Sequence, residues 1–199
     1  MATIINASTS AGLIQTADTS GTLQLQSNGV TQQTVDSTGS YGQLKQGTAQ
    51  ASTSGTSITF SSIPSWVRRI TVVFNEVSTS GTSLLLVQVG SGSVTSTGYI
   101  SSSARLPNAG AIVVSSSTSG FVSGQSDATF VFSGHFLLTL NNAATNNWIC
   151  SHNGKLNTAQ TIQGGGSVSL SGTLDRVVIT TVNGTDTFDA GSINILYEG

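Results

Sequence analysis

Ile63-Pro64-Ser65-Trp66-Val67-Arg68-Arg69-Ile70-Thr71-Val72-Val73-Phe74 sets a turn, an aromatic anchor and a β-branched apolar run side by side. A second stretch, Leu174-Asp175-Arg176-Val177-Val178-Ile179-Thr180-Thr181, repeats the form: a turn, an arginine at the entry, then Val, Ile and Thr. Such residues fit a pleated, half-buried surface, and each run has the length of a strand, so both read as core strands of an all-β protein. They could be related pieces of two sheets, although the match is too short to establish a duplicated unit.

Outward from these runs, short apolar segments recur at 58–60, 84–89, 111–114, 129–132, 136–140, 147–150, 168–170, 176–182 and 193–197. Turn signals separate them: Ser-Gly at 80–81 and 133–134, Asn-Gly at 153–154 and 183–184, and Gly164-Gly165-Gly166. Many short strands with close turn signals and no amphipathic helical stretch predict a jelly-roll-like antiparallel β-sandwich over 58–199. Residues 51–57 read as a linker within the polar, aperiodic stretch 46–57, and residues 1–50 as a separate arm. In the arm, Leu23-Gln24-Leu25-Gln26, the pair Asn28-Gly29 and the run 30–35 predict a β-hairpin, Asn-Gly supplying the positive φ angles of a tight turn. A lone hairpin is marginal in water. Leu23, Leu25, Val30 and Val35 therefore need a second copy, the following domain or a docking partner to cover them.

Of 199 residues only 7% are charged, and the net charge is −2 with six basic residues. The surface must be largely hydroxyl and amide, and no Lys/Arg cluster exists to grip phosphate backbones or acidic lipid, which argues against nucleic acid as a partner. The single cysteine, Cys150, makes no intrachain disulfide. No apolar run approaches the roughly 20 residues of a spanning helix, and the first residues lack the pattern of an export signal, so the expectation is no membrane insertion and release by cell lysis.

Chemistry-bearing residues are sparse. Cys150 and His152 fall on one face of a strand, but no orienting third group or oxyanion site is legible, and a buried thiol beside Trp148 is the simpler reading. His135, in Ser133-Gly134-His135, reads as a turn or core-edge residue. Asp186 and Asp189, after Asn183-Gly184, offer a weak calcium candidate, short of the oxygens that calcium prefers. Glu76, Asp127 and Asp175 could in principle include a glycosidase pair, yet nothing pairs them. Gly164 to Gly166 lacks the lysine and the strand-loop-helix setting of a phosphate loop. Tyr41, Tyr99 and Trp148 could offer stacking faces for sugars if exposed. Arg68, Arg69 and Arg176 either bond acidic loops such as Asp175 or Asp186, or contact a neighbouring subunit. No catalytic residue and no cofactor is assigned.

The stretch Gly12-Leu13-Ile14-Gln15-Thr16-Ala17-Asp18-Thr19-Ser20-Gly21-Thr22-Leu23-Gln24-Leu25-Gln26-Ser27-Asn28-Gly29-Val30-Thr31 resembles the N-terminal segment of structural proteins of tailed bacteriophages. Ile63 to Phe74 and the ending Asn183 to Glu198 resemble a β-rich C-terminal domain of similar proteins. The resemblance implies a non-enzymatic virion protein, made in the host cytoplasm, released by lysis and carried on the virion surface as capsid decoration (cement), head fibre or tail fibre. It implies a homotrimer that docks through the arm on a major capsid protein or tail adaptor, with the arm leucines and valines and the three arginines as interface residues. As a tail fibre its exposed sandwich would bind host-surface glycan through loops such as 90–110 and 141–147, and a host-glycan-binding adhesin or free carbohydrate-binding module is the alternative.

Overall fold

The structure, a computed structural model, describes residues 23–27, 30–36, 39–41, 44–157 and 159–199. Two compact units divide at Gln43 and Leu44. The first holds β1 (Leu23–Ser27), β2 (Val30–Asp36) and β3 (Gly39–Tyr41), an antiparallel sheet in that order. Its register sets Leu23 opposite Val35, with an irregularity after Leu25. The Asn28-Gly29 turn lies outside the described residues.

The second unit is an antiparallel β-sandwich, as the alternating runs imply, and the described residues contain no helix. Its larger sheet is built from β4 (Leu44–Gln46), β5 (Gln50–Ala51), β7 (Arg69–Thr79), β10 (Ile100–Leu106), β11 (Val113–Ser117), β13 (Phe132–Asn142), β14 (Asn147–Leu156), β15 (Gln160–Ser169) and β17 (Phe188–Glu198). The order is β11-β10-β15-β14-β13-β7-β17-β4, with β5 also on β17. The smaller sheet holds β6 (Ile58–Ser61), β8 (Leu85–Ser91), β9 (Ser93–Val94), β12 (Phe121–Val122) and β16 (Arg176–Thr181), in the order β12-β8-β16-β6 with β9 on β8.

The two arginine-headed runs are interior strands of opposite sheets: β7 lies between β13 and β17, β16 between β8 and β6. The turns that precede them are tied by a hydrogen bond from Ile63 N to the Asp175 carbonyl, 3.0 Å. Inward rows run across the large sheet, one through Tyr197, Ile70, Leu138 and Cys150, the next through Ile195, Val72, Phe136 and His152. They meet Ile58, Phe60, Val87, Val89, Val177 and Ile179 of the small sheet in one core. Each such buried side chain contributes roughly 1.5–3 kcal/mol relative to exposure.

Three glycine signals that predict turns lie inside strands instead. Ser133-Gly134 sits in β13 and Asn153-Gly154 in β14, with Gly134 directly opposite Gly154. A Cβ at Gly154 would stand 2.4 Å from the Phe132 ring, and one at Gly134 would stand 2.9 Å from it. The ring leans along its own strand and fills the space that two side chains would take, so these glycines serve packing. Gly164, Gly165 and Gly166 lie mid-strand in β15, where a Cβ would meet carbonyl oxygens of β10 or β14 at 2.3–2.7 Å. Three absent side chains let β15 approach both neighbours.

The expected start of the folded domain at 58, after a linker at 51–57, differs from the observed pairing. Leu44–Gln46 and Gln50–Ala51 cover the outer edge of β17, and Ser52 is buried with its hydroxyl donated to the Ala190 carbonyl. Strand β10, which no apolar run announces, has serines at its inward positions: Ser101 accepts from Val122 N at 2.9 Å, and Ser103 is fully enclosed.

Candidate functional site

In the first unit Leu23 and Leu25, two apart on one face of β1, are 44% and 43% exposed. An apolar pair left in water on so small a sheet marks a surface to be covered. The side chains of Val30 and Val35 lie outside what is described. In the second unit the edge at β11 has the same character. Ile100, Ile112 and Val114 are among the most exposed large apolar residues, and no residue between Arg105 and Asp127 carries a charge. Edge strands are commonly guarded by lysine, proline or bulges. β11, Val-Val-Ser-Ser-Ser, has neither lysine nor proline. The triple Ile112-Val113-Val114 beside serines is the sequence signal that could have found this edge.

The three arginines divide by partner. Arg68 closes its own turn through Ser65 and Val67 carbonyls at 2.9 and 3.0 Å. Arg69 pairs with Glu198 at 3.4 Å on the surface. Arg176 grips Asp175 with Nε and Nη2 at 2.8 and 3.2 Å, and this bond, with help from the Gly92 amide and against a smaller opposing effect of burial, holds the Asp175 carboxyl below the usual range. None of the three bonds Asp186.

Cys150 and His152 do share one face, the inner one, and both are buried. Burial pushes the thiol up, away from thiolate. The imidazole stacks on Phe136 with centroids 4.2 Å apart and 13° between planes, and neither ring nitrogen makes a hydrogen bond of good geometry. Burial holds its pKa down to about 4, against an opposing effect of the Val122 backbone. No hydrogen bond joins sulfur to imidazole, so the pair lacks the link a thiolate-imidazolium nucleophile requires.

His135 lies mid-strand in β13, opposite Asn153 and Val73, and not in a turn, because Gly134 makes room for the Phe132 ring and the strand continues through it. Tyr99 and Trp148 are buried and offer no stacking face. Tyr99 packs edge-on against Phe121, accepts from Val89 N and donates to the Thr95 carbonyl. The side chain of Tyr41 lies outside what is described. Asp127 accepts from Thr129 N and Oγ1, both at 2.8 Å, whereas the Glu76 amide donates to Ser133 Oγ. Asp186 accepts from Ser83 N and Asn183 Nδ2, and Asp189 accepts from Ser78 Oγ. Among the described residues no three His, Cys, Asp or Glu side chains gather as a metal set.

One cleft of about 480 Å³ opens at β10, β14 and β15, lined by Ser102, Ala104, Val114, Asn153, Gln163 and Gly164 among others. The register places Asn153, Gln163, Ala104 and Val114 in a single row across four strands, two free amides followed by two apolar residues. Its lining carries no formal charge. The region 90–110, expected as a loop, supplies β10 to this cleft.

No protein-family model, curated protein or solved structure matches the chain.

Proposed function

We propose that this chain is a non-enzymatic structural protein of a tailed-bacteriophage particle, a trimeric surface appendage that docks by its N-terminal arm and exposes the sandwich. The observation that carries the reading is the pair Leu23 and Leu25, on one face of a three-stranded sheet and nearly half exposed. Three copies of such a sheet, set around an axis, bury together what one leaves wet. The bare β11 edge adds a second uncharged surface for contact with a neighbour, and the hydroxyl- and amide-rich exterior suits a particle outside a cell. The sequence resemblance at 12–31, 63–74 and 183–198 supplies the particle itself. The partner of the arm is then a major capsid protein or a tail adaptor.

The test is association with particles. The full chain is expected to co-sediment with purified virions of the phage that encodes it, and a chain lacking residues 1–43 is expected to stay in the supernatant. A full chain that remains wholly free contradicts the reading.

The cleft at Asn153 and Gln163 favours a second reading, a host-glycan-binding module. Two free amides beside Val114, without charge, suit a neutral polyhydroxylated ligand that offers both hydroxyls and an apolar face. Under that reading residues 44–199 bind neutral oligosaccharides as a monomer, and replacing Asn153 and Gln163 together by alanine abolishes the binding.

A further inference from the structure

The turn between β16 and β17 contains Asn183-Gly184 and is laced to the turn between β7 and β8. Asn183 Oδ1 accepts three hydrogen bonds, from Thr181 Oγ1 at 2.8 Å, Thr185 N at 3.0 Å and Asp186 N at 3.2 Å. Its Nδ2 donates to Asp186 Oδ1 at 2.6 Å, and its backbone N donates to Ser83 Oγ at 3.0 Å. Asp186 Oδ2 takes the Ser83 amide at 2.9 Å, and the carboxylate occupies the space over Gly81, where a Cβ would stand 2.2 Å from Oδ2. Asn183 thus holds the acid that holds the facing turn.

An Asn-Gly pair is also where a chain modifies itself, because glycine has no Cβ to shield its backbone nitrogen. Gly184 N, giving up its proton, attacks Asn183 Cγ; the Cγ–Nδ2 bond breaks and ammonia leaves with the proton. Water then opens the succinimide at either carbonyl, leaving aspartate or isoaspartate. In the folded turn Gly184 N is committed to the Thr181 carbonyl at 3.0 Å, and both ends of the Asn183 amide are tethered. We propose that Asn183 is a self-modification site kept intact by the folded turn, and that its deamidation opens the clasp between the 80–84 and 182–187 turns.

The product sets a carboxylate where Asn183 now donates to Asp186, so two like charges face each other at hydrogen-bond distance. Asn153-Gly154 serves as an internal reference, since Asn153 has no such clasp and its glycine lies within a sheet.

Peptide mapping by mass spectrometry of the full chain, aged at mildly alkaline pH with and without urea, tests this. Asn183 is expected to react at least about tenfold more slowly folded than unfolded, whereas in urea Asn153 and Asn183 react alike. Thr181→Val, which keeps the shape and removes one tether, is expected to raise the folded rate about fivefold. Asn183→Asp, the product mimic, is expected to melt about 2–4 °C lower at neutral pH. Equal Asn183 rates folded and unfolded, a Thr181→Val rate unchanged or slower, or an Asn183→Asp melting point equal to wild type overturns the proposal.

Discussion

His152 shows most directly what burial does to a single residue. Its ring is stacked in the core on Phe136, neither nitrogen makes a hydrogen bond of good geometry, and burial lowers its pKa from 6.5 to about 4. Above pH 6.5 the imidazole is neutral in folded and unfolded chains alike; between 6.5 and 4 only the unfolded chain takes up the proton. Stability is therefore lost as pH falls through that window, by about 3 kcal/mol in all, because each tenfold loss of proton affinity on folding corresponds to about 1.4 kcal/mol. Urea unfolding across the window is expected to show that slope in the native chain and a much flatter line in His152→Leu. The carboxyls of Asp127 and Asp175, whose pKa values are lowered by hydrogen bonds from Thr129 and Arg176, lose their contribution only below the usual carboxylate range, so the two effects separate by pH. The glycines facing Phe132 give a second residue-scale expectation. Gly154→Ala forces a Cβ into that ring and is expected to cost about 1–3 kcal/mol in urea unfolding, as overpacking does. Arg69→Ala, by contrast, removes only an exposed ion pair with Glu198, and a change of about 0.5 kcal/mol or less is expected in the same assay.

Among the elements, β7 and β16 were legible because their inward positions are Val, Ile and Phe, a pattern that burial itself demands. Strand β10 was not, since its buried residues are Ser101, bonded to Val122 of the other sheet, and Ser103, bonded to the Gln163 carbonyl of β15, and such polar residues leave no apolar alternation to read. Glycine misled in the same way: Ser133-Gly134, Asn153-Gly154 and Gly164 to Gly166 look like punctuation, yet they accommodate a ring or a close strand, which only three-dimensional neighbours reveal. The polar stretch at 44–52 carries no periodicity either, although it forms β4 and β5 on the edge of β17. A chain starting at Leu44 is expected to stay folded, whereas one starting at Ser57 bares the β17 edge; the latter is expected to melt lower and aggregate, as scattering on heating would record. At the candidate sites the reach of sequence was shorter. It placed Cys150 and His152 on one face, and it read Leu23 and Leu25 as a surface needing cover. It missed the row of Asn153, Gln163, Ala104 and Val114, because those residues come from separate strands brought into register only by the fold.

At the scale of the whole molecule, the chain comprises a sandwich with its own core and a separate small sheet whose leucines are in water. The first can be stable alone; the second needs partners to bury its face. Under the proposed function, assembly through the arm is therefore expected of the full chain and not of residues 44–199. The most direct test is the native mass of the full chain and of residues 44–199, by light scattering at the same molar concentration. The account predicts a trimer for the full chain and a monomer for the sandwich. Monomers in both, or a trimer that survives removal of the arm, would contradict it.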